Sequence, residues 1–261
     1  MMTNTLHIRR EGHVARVTLN RPEVRNAFNE LLIAELTAAF AALGQDTTLR
    51  AIVLAAEGKA FCAGADLNWM KSMAGFSWDE NHADARLLAE MLWTIYSSPV
   101  PVIARVQGDV YAGGVGLVSV CDIVVAADTA GFCLSEAKLG LLPATIGPYV
   151  VRALGEQASR RYFVTAERFS ATEAQRLGLV HELATADTLD EKVDALSVAL
   201  IANGPAAVRA CKKLVQDLAH EPITPALRDD TARRIADIRA SAEGREGVQS
   251  FLNKSKPSWL N

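Results

Sequence analysis

The sequence predicts an α/β fold with an all-helical C-terminal third. Strand-length apolar runs alternate with longer segments of helical periodicity as far as about Pro148, and glycine-rich loops follow two of the runs; beyond that point only helical patterning remains. A chain of 261 residues is near the upper size for one hydrophobic core. One α/β domain over residues 1–195 with a helical region over 196–261 is therefore expected, rather than two independent domains. Half the residues are hydrophobic, enough to fold without disulfide or metal staples.

Val14 to Leu19 alternates apolar with polar or small residues and reads as a half-buried strand, and Asn20-Arg21-Pro22-Glu23 turns out of it. The helix that follows spans Asn29 to Leu43. Its apolar positions Leu32, Leu36, Ala39, Phe40 and Leu43 recur three or four apart, and Gly44 is the expected stop. The same outline then repeats: Ala51 to Ala55 is a continuous apolar strand, Gly58 to Ala65 a loop, and Asp79 to Ser97 a helix ended by Pro99 and Pro101. Val102 to Val106 is the next strand, followed by a loop leading through Gly113-Gly114 into a short helix. Ile123 to Ala127 is another buried strand. After Pro148 come helices over Tyr149 to Leu154 and Gln157 to Thr165. Ser170 and Glu173 then form a capping box for a helix ending at Gly178. Longer helices are expected over Leu189 to Ala202, Pro205 to Ala219 and Pro225 to Ala240, and the tail ends in Arg245 to Trp259.

Charge and cysteine content exclude several function classes. With 27 basic and 30 acidic residues the net charge is −3, and no run of Lys or Arg exceeds two. Polyanion binding draws on clustered cations, so nucleic acid and membrane surfaces are poor partners. The first long helix carries Glu30 and Glu35 but no Lys or Arg. The start of the sequence has no basic segment backed by an apolar one, and no 18-residue apolar stretch occurs, so a cytoplasmic protein is expected. Cys62, Cys121, Cys133 and Cys211 lack CxxC spacing and sit among apolar neighbours, which suits buried reduced thiols.

Three blocks carry chemistry. Phe61-Cys62-Ala63-Gly64-Ala65-Asp66-Leu67 and Ala112-Gly113-Gly114-Val115-Gly116 place small residues at strand-to-helix junctions, where a ligand can approach backbone N–H groups and a helix N-terminus favours negative charge. Two such donors aimed at one point make an oxyanion hole. In the third block, Ser135-Glu136-Ala137-Lys138-Leu139-Gly140, Glu136 is flanked by Phe132, Leu134, Leu139, Leu141 and Leu142, and apolar surroundings raise a carboxyl pKa towards proton-transfer range. The five histidines are scattered and none falls in these blocks. Gly-x-Ser-x-Gly, HExxH, Walker A and strand-linked GxGxxG motifs are missing, so serine hydrolysis, zinc catalysis and dinucleotide redox chemistry lack their parts. Cys62 lies beside an oxyanion-type loop but has no histidine base in its motif.

In order and spacing the three blocks resemble the crotonase (enoyl-CoA hydratase/isomerase) superfamily, and the resemblance runs from about Leu6 to Leu260. It implies a crotonase-like spiral of ββα units whose C-terminal helical region forms a homotrimer or a dimer of trimers. It also implies an acyl-CoA thioester substrate, with no metal and no cofactor beyond the CoA of that substrate. The implied oxyanion donors are the backbones of Ala65 and Gly113. The usual third glycine of the second loop is Ala112 here, which asks for ordinary backbone angles at that residue. Glu136 matches the second catalytic glutamate of the family, whereas the first is absent because Gly116 stands in its place. Thioester binding is carried over to Arg25, Ala27, Ala63, Gly64, Asp66, Leu67, Gly114 and Gly116, and to Phe251 and Lys254 in the tail. Arg25 is a planar cation for a phosphate.

One carboxylate leaves two readings open. Either Glu136 makes both proton transfers of a hydration, or it shuttles a proton between Cα and Cγ as a Δ3,Δ2-enoyl-CoA isomerase. Gly113-Gly114-Val115-Gly116-Leu117, Ala65-Asp66-Leu67-Asn68-Trp69-Met70 and the run from Phe132 to Ile146 resemble hydratases of branched, carboxylated glutaconyl-CoA esters, such as those of 3-methylglutaconyl-CoA or isohexenylglutaconyl-CoA. A third class, a CoA-thioester-binding or RNA-associated protein without catalysis, would make Glu136 incidental. The missing basic face counts against its RNA version.

Overall fold

The computed structural model describes residues 5–260 and divides into two compact units, one ending at Ala195 and the other starting at Leu196. The first opens with a hairpin, β1 (Leu6–Glu11) and β2 (Val14–Leu19), paired antiparallel from Leu6↔Leu19 to Glu11↔Val14 around the left-handed Gly12. β1 has no counterpart in the sequence reading. It is an edge strand with only Leu6 and Ile8 apolar, so it lacks the alternation that marks β2. Helix α1 (Glu30–Gln45) follows, its N-terminus held by Asn29, whose Oδ1 accepts from the Leu32 amide at 2.9 Å. Gly44 does not stop it. That glycine is a buried helical residue facing the Pro99 ring, and the cap is Asp46.

From β3 (Ala51–Ala56) onward a three-part unit repeats: a strand in a large sheet, a three-residue strand in a small sheet, then a helix. β3 leads to β4 (Ala60–Cys62), α2 (Leu67–Met73) and α3 (Trp78–Tyr96). β5 (Val102–Val106) leads to β6 (Asp109–Tyr111) and α4 (Gly113–Ser119), and β7 (Ile123–Ala127) leads to β8 (Gly131–Cys133) and α5 (Gly147–Thr165). β9 (Arg168–Ser170), α6 (Ala171–Arg176), β10 (Glu182–Ala184) and α7 (Leu189–Ile201) complete the series. The large sheet has the order β1-β2-β3-β5-β7-β10 and is parallel from β2 onward. The small sheet has the order β4-β6-β8-β9, with only β9 antiparallel. β3 is buried at every position, as a strand covered on both faces must be.

The small-sheet strands and α2 were not visible as elements in the sequence, because three residues are too few to show a strand period and the seven of α2 make only about two helical turns. α5 is one helix by its hydrogen bonds but is broken at Gly155 (φ 76, ψ 162), which explains why its two halves read as separate segments. The capping box at Ser170 is half formed: Ser170 accepts from the Glu173 amide, but the Glu173 carboxylate turns to Arg176 at 2.7 Å. A complete box occurs instead at Ser77 and Glu80, opening α3.

The second unit holds α8 (Pro205–Leu218), α9 (Pro225–Ala240) and α10 (Ala242–Leu252), then a single 3₁₀ turn, Ser258–Leu260. Glu243 caps α8 from α10, its carboxylate accepting from the amides of Ala206 and Ala207 at 2.9 and 2.8 Å. Arg234 joins α9 to α8 through Asp217 at 2.7 Å. Among the described residues neither α8 nor α9 buries a side chain fully. Between them lies a groove of about 640 Å³, floored by Ala210, Cys211, Leu214, Ile235 and Ile238. Cys211 is exposed, so the expectation of four buried thiols holds only for Cys62, Cys121 and Cys133. The helical stripe places Cys211 on the apolar side of α8, but none of the described residues of this unit covers that side.

Ala112 departs from the expected ordinary backbone: φ is 47° and ψ is −122°, in a region that L-residues rarely occupy. The small sheet enforces this by tying the Ala112 amide to the Cys133 carbonyl at 2.8 Å while α4 begins at the next residue. Strain of this kind costs about 1–3 kcal/mol, whereas glycine adds about 0.4–1 kcal/mol of unfolded-state entropy. Ala112→Gly should therefore raise stability by about 1 kcal/mol in denaturant unfolding. An unchanged or lowered midpoint would show that the angle at Ala112 carries no strain.

Candidate active site

The C-terminal ends of the three parallel strands β4, β6 and β8 lie side by side, and each releases one of the three sequence blocks. After β4 comes Ala63 to Asp66, after β6 comes Ala112-Gly113, and after β8 comes Leu134 to Glu136. Ala65, Ala112, Gly113 and Glu136 thereby line one cavity of about 270 Å³, with Phe28, Trp69, Met73, Leu88, Leu142 and Ile146 as its principal apolar walls.

The two expected donors are available. Around Ala65 the backbone bonds run from the Phe28 amide to the Gly64 carbonyl (2.7 Å) and from the Asp66 amide to the Phe28 carbonyl (2.8 Å), which leaves the Ala65 amide out. Gly113 opens α4, where a helix amide has no partner within the helix. Among the described residues neither amide donates to another protein group. Gly64 makes the first loop possible: its φ is 87°, and a Cβ there would stand 2.9 Å from the Ala112 Cβ and 3.2 Å from the Tyr111 carbonyl oxygen.

Glu136 begins a single 3₁₀ turn, Glu136–Leu139, closed by the left-handed Gly140. Its Oε2 is buried and has no hydrogen-bond partner among the described residues. Burial pushes the carboxyl above the ordinary glutamate range, and the backbone amide of the same residue pulls weakly the other way. The source of that burial differs from the expectation. Phe132 and Leu134 are core residues, but Leu139, Leu141 and Leu142 are exposed, and the apolar wall comes largely from Phe28, α2, α3 and Ile146.

Gly116 lies inside α4 against Ile146. A Cβ at position 116 would fall 2.1 Å from the Ile146 Cγ2 and 2.5 Å from its Cβ. The place of the absent glutamate is therefore filled by a branched side chain that also lines the cavity. Gly114, two residues earlier in α4, packs on Cys62, where a Cβ would be 2.9 Å from the Cys62 Cβ. The Cys62 thiol is pushed up to about 12 by burial, against a weaker opposing hydrogen bond from the Gly64 backbone, which removes it as a nucleophile.

Among the residues carried over as binding groups, Asp66 also serves the frame. Asp66 is buried: it caps α2 through the Asn68 amide at 2.8 Å and pairs with Arg21 at 2.8 Å. Burial raises its pKa, but the hydrogen bonds from Arg21, Asn68 and Trp69 outweigh that and leave it below the ordinary aspartate range. Arg21 also donates to the carbonyl of the buried Ala27 at 2.6 Å. Leu67 is 74% exposed at the start of α2 and lines neither cavity described here. Beneath the first loop the fully buried Asn26 accepts from the Arg21 amide and donates to the carbonyls of Glu57 and Ala60.

Arg25 and Ala63 line a second cavity of about 520 Å³ with Lys59, Asp109 and Tyr111. Arg25 and Lys59 are its cations. Asp109 is engaged by Arg168 at 2.7 Å and does not face Glu136. Phe251 and Lys254 belong to the second unit: Phe251, on the last turn of α10, is 83% exposed, and Lys254 follows in a left-handed conformation (φ 54°). Sequence reasoning missed Lys59, Ile146 and Asp84. The last lines the Glu136 cavity from α3, and only a three-dimensional neighbour, Trp69, gives it away: its Nε1 donates to Asp84 Oδ1 at 3.2 Å.

This geometry has known counterparts. An enoyl-CoA hydratase structure from Shewanella pealeana is 40% identical, with a TM-score of 0.95 over 98% of this chain and 96% of that one. AtuE of Pseudomonas aeruginosa is 38% identical, with a TM-score of 0.95 over 99% of this chain and all of that one. The 2,3-dehydroadipyl-CoA hydratase of Escherichia coli is 30% identical over 97% of this chain and 98% of its own length. Residues 9–261 match the family described as Enoyl-CoA hydratase/isomerase. With its fold, its paired amides and its glutamate in family order, the chain belongs to the enoyl-CoA hydratase/isomerase (crotonase) family.

Proposed function

We propose that this chain adds water across the α,β double bond of an enoyl-CoA thioester, with Glu136 making both proton transfers. The observation that carries the reading is the buried, unpartnered Oε2 of Glu136 in one cavity with the free amides of Ala65 and Gly113. The amides receive the thioester carbonyl oxygen and draw electron density from Cβ. Ionised Glu136 takes a proton from water as the water oxygen bonds to Cβ. The double-bond pair moves to an enolate whose oxygen sits on the two amides, and the carboxyl returns its proton to Cα. The step balances with these groups and needs no metal or further cofactor.

For the acyl group we propose a branched, carboxylated chain such as 3-methylglutaconyl. Support comes from Gly116 at the place of the family's first glutamate, with Ile146 seated over it, and from the Escherichia coli relative, whose name specifies a dicarboxylic thioester. The CoA part is assigned to the Arg25–Lys59 cavity, and Phe251 and Lys254 are proposed as CoA contacts on the family resemblance alone. Remote binding of this kind positions the reacting carbons. The second reading, a Δ3,Δ2 isomerase, uses the same glutamate without water. Turnover in oxygen-labelled water separates the two, since only hydration places the label in the product.

Glu136→Gln should lower turnover at least about a hundredfold while leaving CoA binding and the fold intact. Retention of more than about a tenth of the activity would place the proton transfer elsewhere. Because the base must be ionised and its pKa is raised, the acid limb of kcat/KM should lie above the ordinary glutamate range. The sign for stability is opposite: a carboxyl with a raised folded pKa costs stability as pH rises through that value, so Glu136→Gln should be slightly the more stable protein above it.

Gly116→Glu should destabilise by about 3 kcal/mol or more, because its Cβ overlaps Ile146 and its charge is buried. Adding Ile146→Ala should recover at least about 1 kcal/mol of that loss in a double-mutant cycle. Additive effects would mean that Ile146 does not occupy the glutamate's place.

A trimer-based assembly is also proposed, with the α8–α9 face and the exposed Val215 and Ile235 covered by another copy. Light scattering should give a multiple of 28.1 kDa, and a stable monomer at working concentration would remove this assignment.

A further inference from the structure

The Glu136 cavity contains a second carboxyl group for which the hydration step has no use. Asp84 lines it from the inward face of α3, beside Ala85 and Leu88, and is half-buried. Its Oδ1 is fixed by the Trp69 indole N–H at 3.2 Å, and it makes no other hydrogen bond to a described residue. The remaining carboxyl oxygen is thus free for a ligand. The titratable and polar groups around it supply no positive charge. Glu30 approaches from α1, Glu136 shares the cavity, α2 contributes the Trp69 indole, and the segment before α5 contributes the Thr145 hydroxyl. Among the described residues no Lys or Arg lines the cavity.

We propose that Asp84 is the receptor for the far end of the acyl chain and binds a terminal carboxylate through one shared proton. Two carboxyl groups at hydrogen-bond distance cannot both be ionised, and the pair lowers its energy by holding one proton in a short O–H···O⁻ bond. Trp69 fixes the orientation by occupying Oδ1, and Oδ2 carries the proton towards the ligand. Burial already biases Asp84 towards protonation, opposed by the Trp69 hydrogen bond and assisted by the charge of Glu30. Binding an anionic acyl end then draws in one proton from solvent. This inference rests on the carboxylated-acyl reading given above.

The test is binding of two saturated thioesters, glutaryl-CoA and butyryl-CoA, measured by calorimetry across pH on the wild-type protein, Asp84→Asn and Asp84→Ala. Both ligands carry the same CoA phosphates, so butyryl-CoA supplies the pH baseline. Relative to that baseline, log Kd for glutaryl-CoA should rise with pH at a limiting slope of about one, the signature of a single proton taken up. Asp84→Asn keeps a donor for the ligand and an acceptor for Trp69, so it should bind glutaryl-CoA with the slope abolished. Asp84→Ala should weaken glutaryl-CoA relative to butyryl-CoA by about tenfold or more. A slope that is absent in the wild type, or that persists in Asp84→Asn, overturns the proposal. So does parallel loss of both ligands in both variants. Hydration of 3-methylglutaconyl-CoA against crotonyl-CoA by the wild type tests the acyl reading separately. Poor hydration with an Asp84-dependent slope would retire the acyl reading alone, and good hydration with pH-flat binding would retire the Asp84 proposal alone.

Discussion

Parallel pairing of three very short strands is the constraint on which the rest of this site depends. β4, β6 and β8 are three residues each, yet their alignment sets where three loops leave the sheet, and so where two amides and one carboxyl converge. Strands this short have little packing of their own. The fully buried Asn26 ties the β4 loop to the Glu57 and Ala60 carbonyls, Asp66 and Arg21 fix its far side, and the Cys133 carbonyl fixes Ala112. Polar groups buried with their bonds made hold one geometry, because any shift leaves an unpaired group.

The carboxyl groups on and around these loops behave oppositely in this frame. Asp66 is buried but receives a guanidinium and two amides, so the charged form wins. Glu136 and Asp84 are partly buried with few donors, so the neutral form gains. The frame thus keeps its permanent charge where structure needs an ion pair. Its two poised carboxyls face the cavity.

Much of the site was legible in the sequence because backbone chemistry leaves a compositional trace. Small residues at Gly64-Ala65 and Gly113-Gly114, and the Glu136 block, marked the loops, and β3, β5 and β7 of the large sheet showed as strand-length apolar runs, while β10 went unread. The parts that escaped have physical reasons. Three-residue strands have no period, β1 is a half-polar edge, and much of the lining of Glu136 comes from Phe28, Trp69 and Leu88, far from it in the chain. Asp84 sits on an otherwise ordinary helix face and becomes notable only beside Trp69. Ala112 was misjudged because its strain follows from being tied to Cys133 across the small sheet, a relation with no local signal.

The spacing of the small-sheet strands also bears on how the protein acquires its activity. Ala60 pairs with Asp109 and Val110 with Phe132, so the site closes only when segments far apart in the chain have met. Loop-closure entropy makes such pairings slow relative to local helix formation. The large sheet waits on similar closures, since β2 meets β3 through pairs such as Val14 with Ala51, whereas the helices form from local contacts. Activity is then a late reporter of folding: recovery of helical signal after dilution from denaturant runs ahead of recovery of turnover, and the interval between them measures the docking of nine residues in three strands.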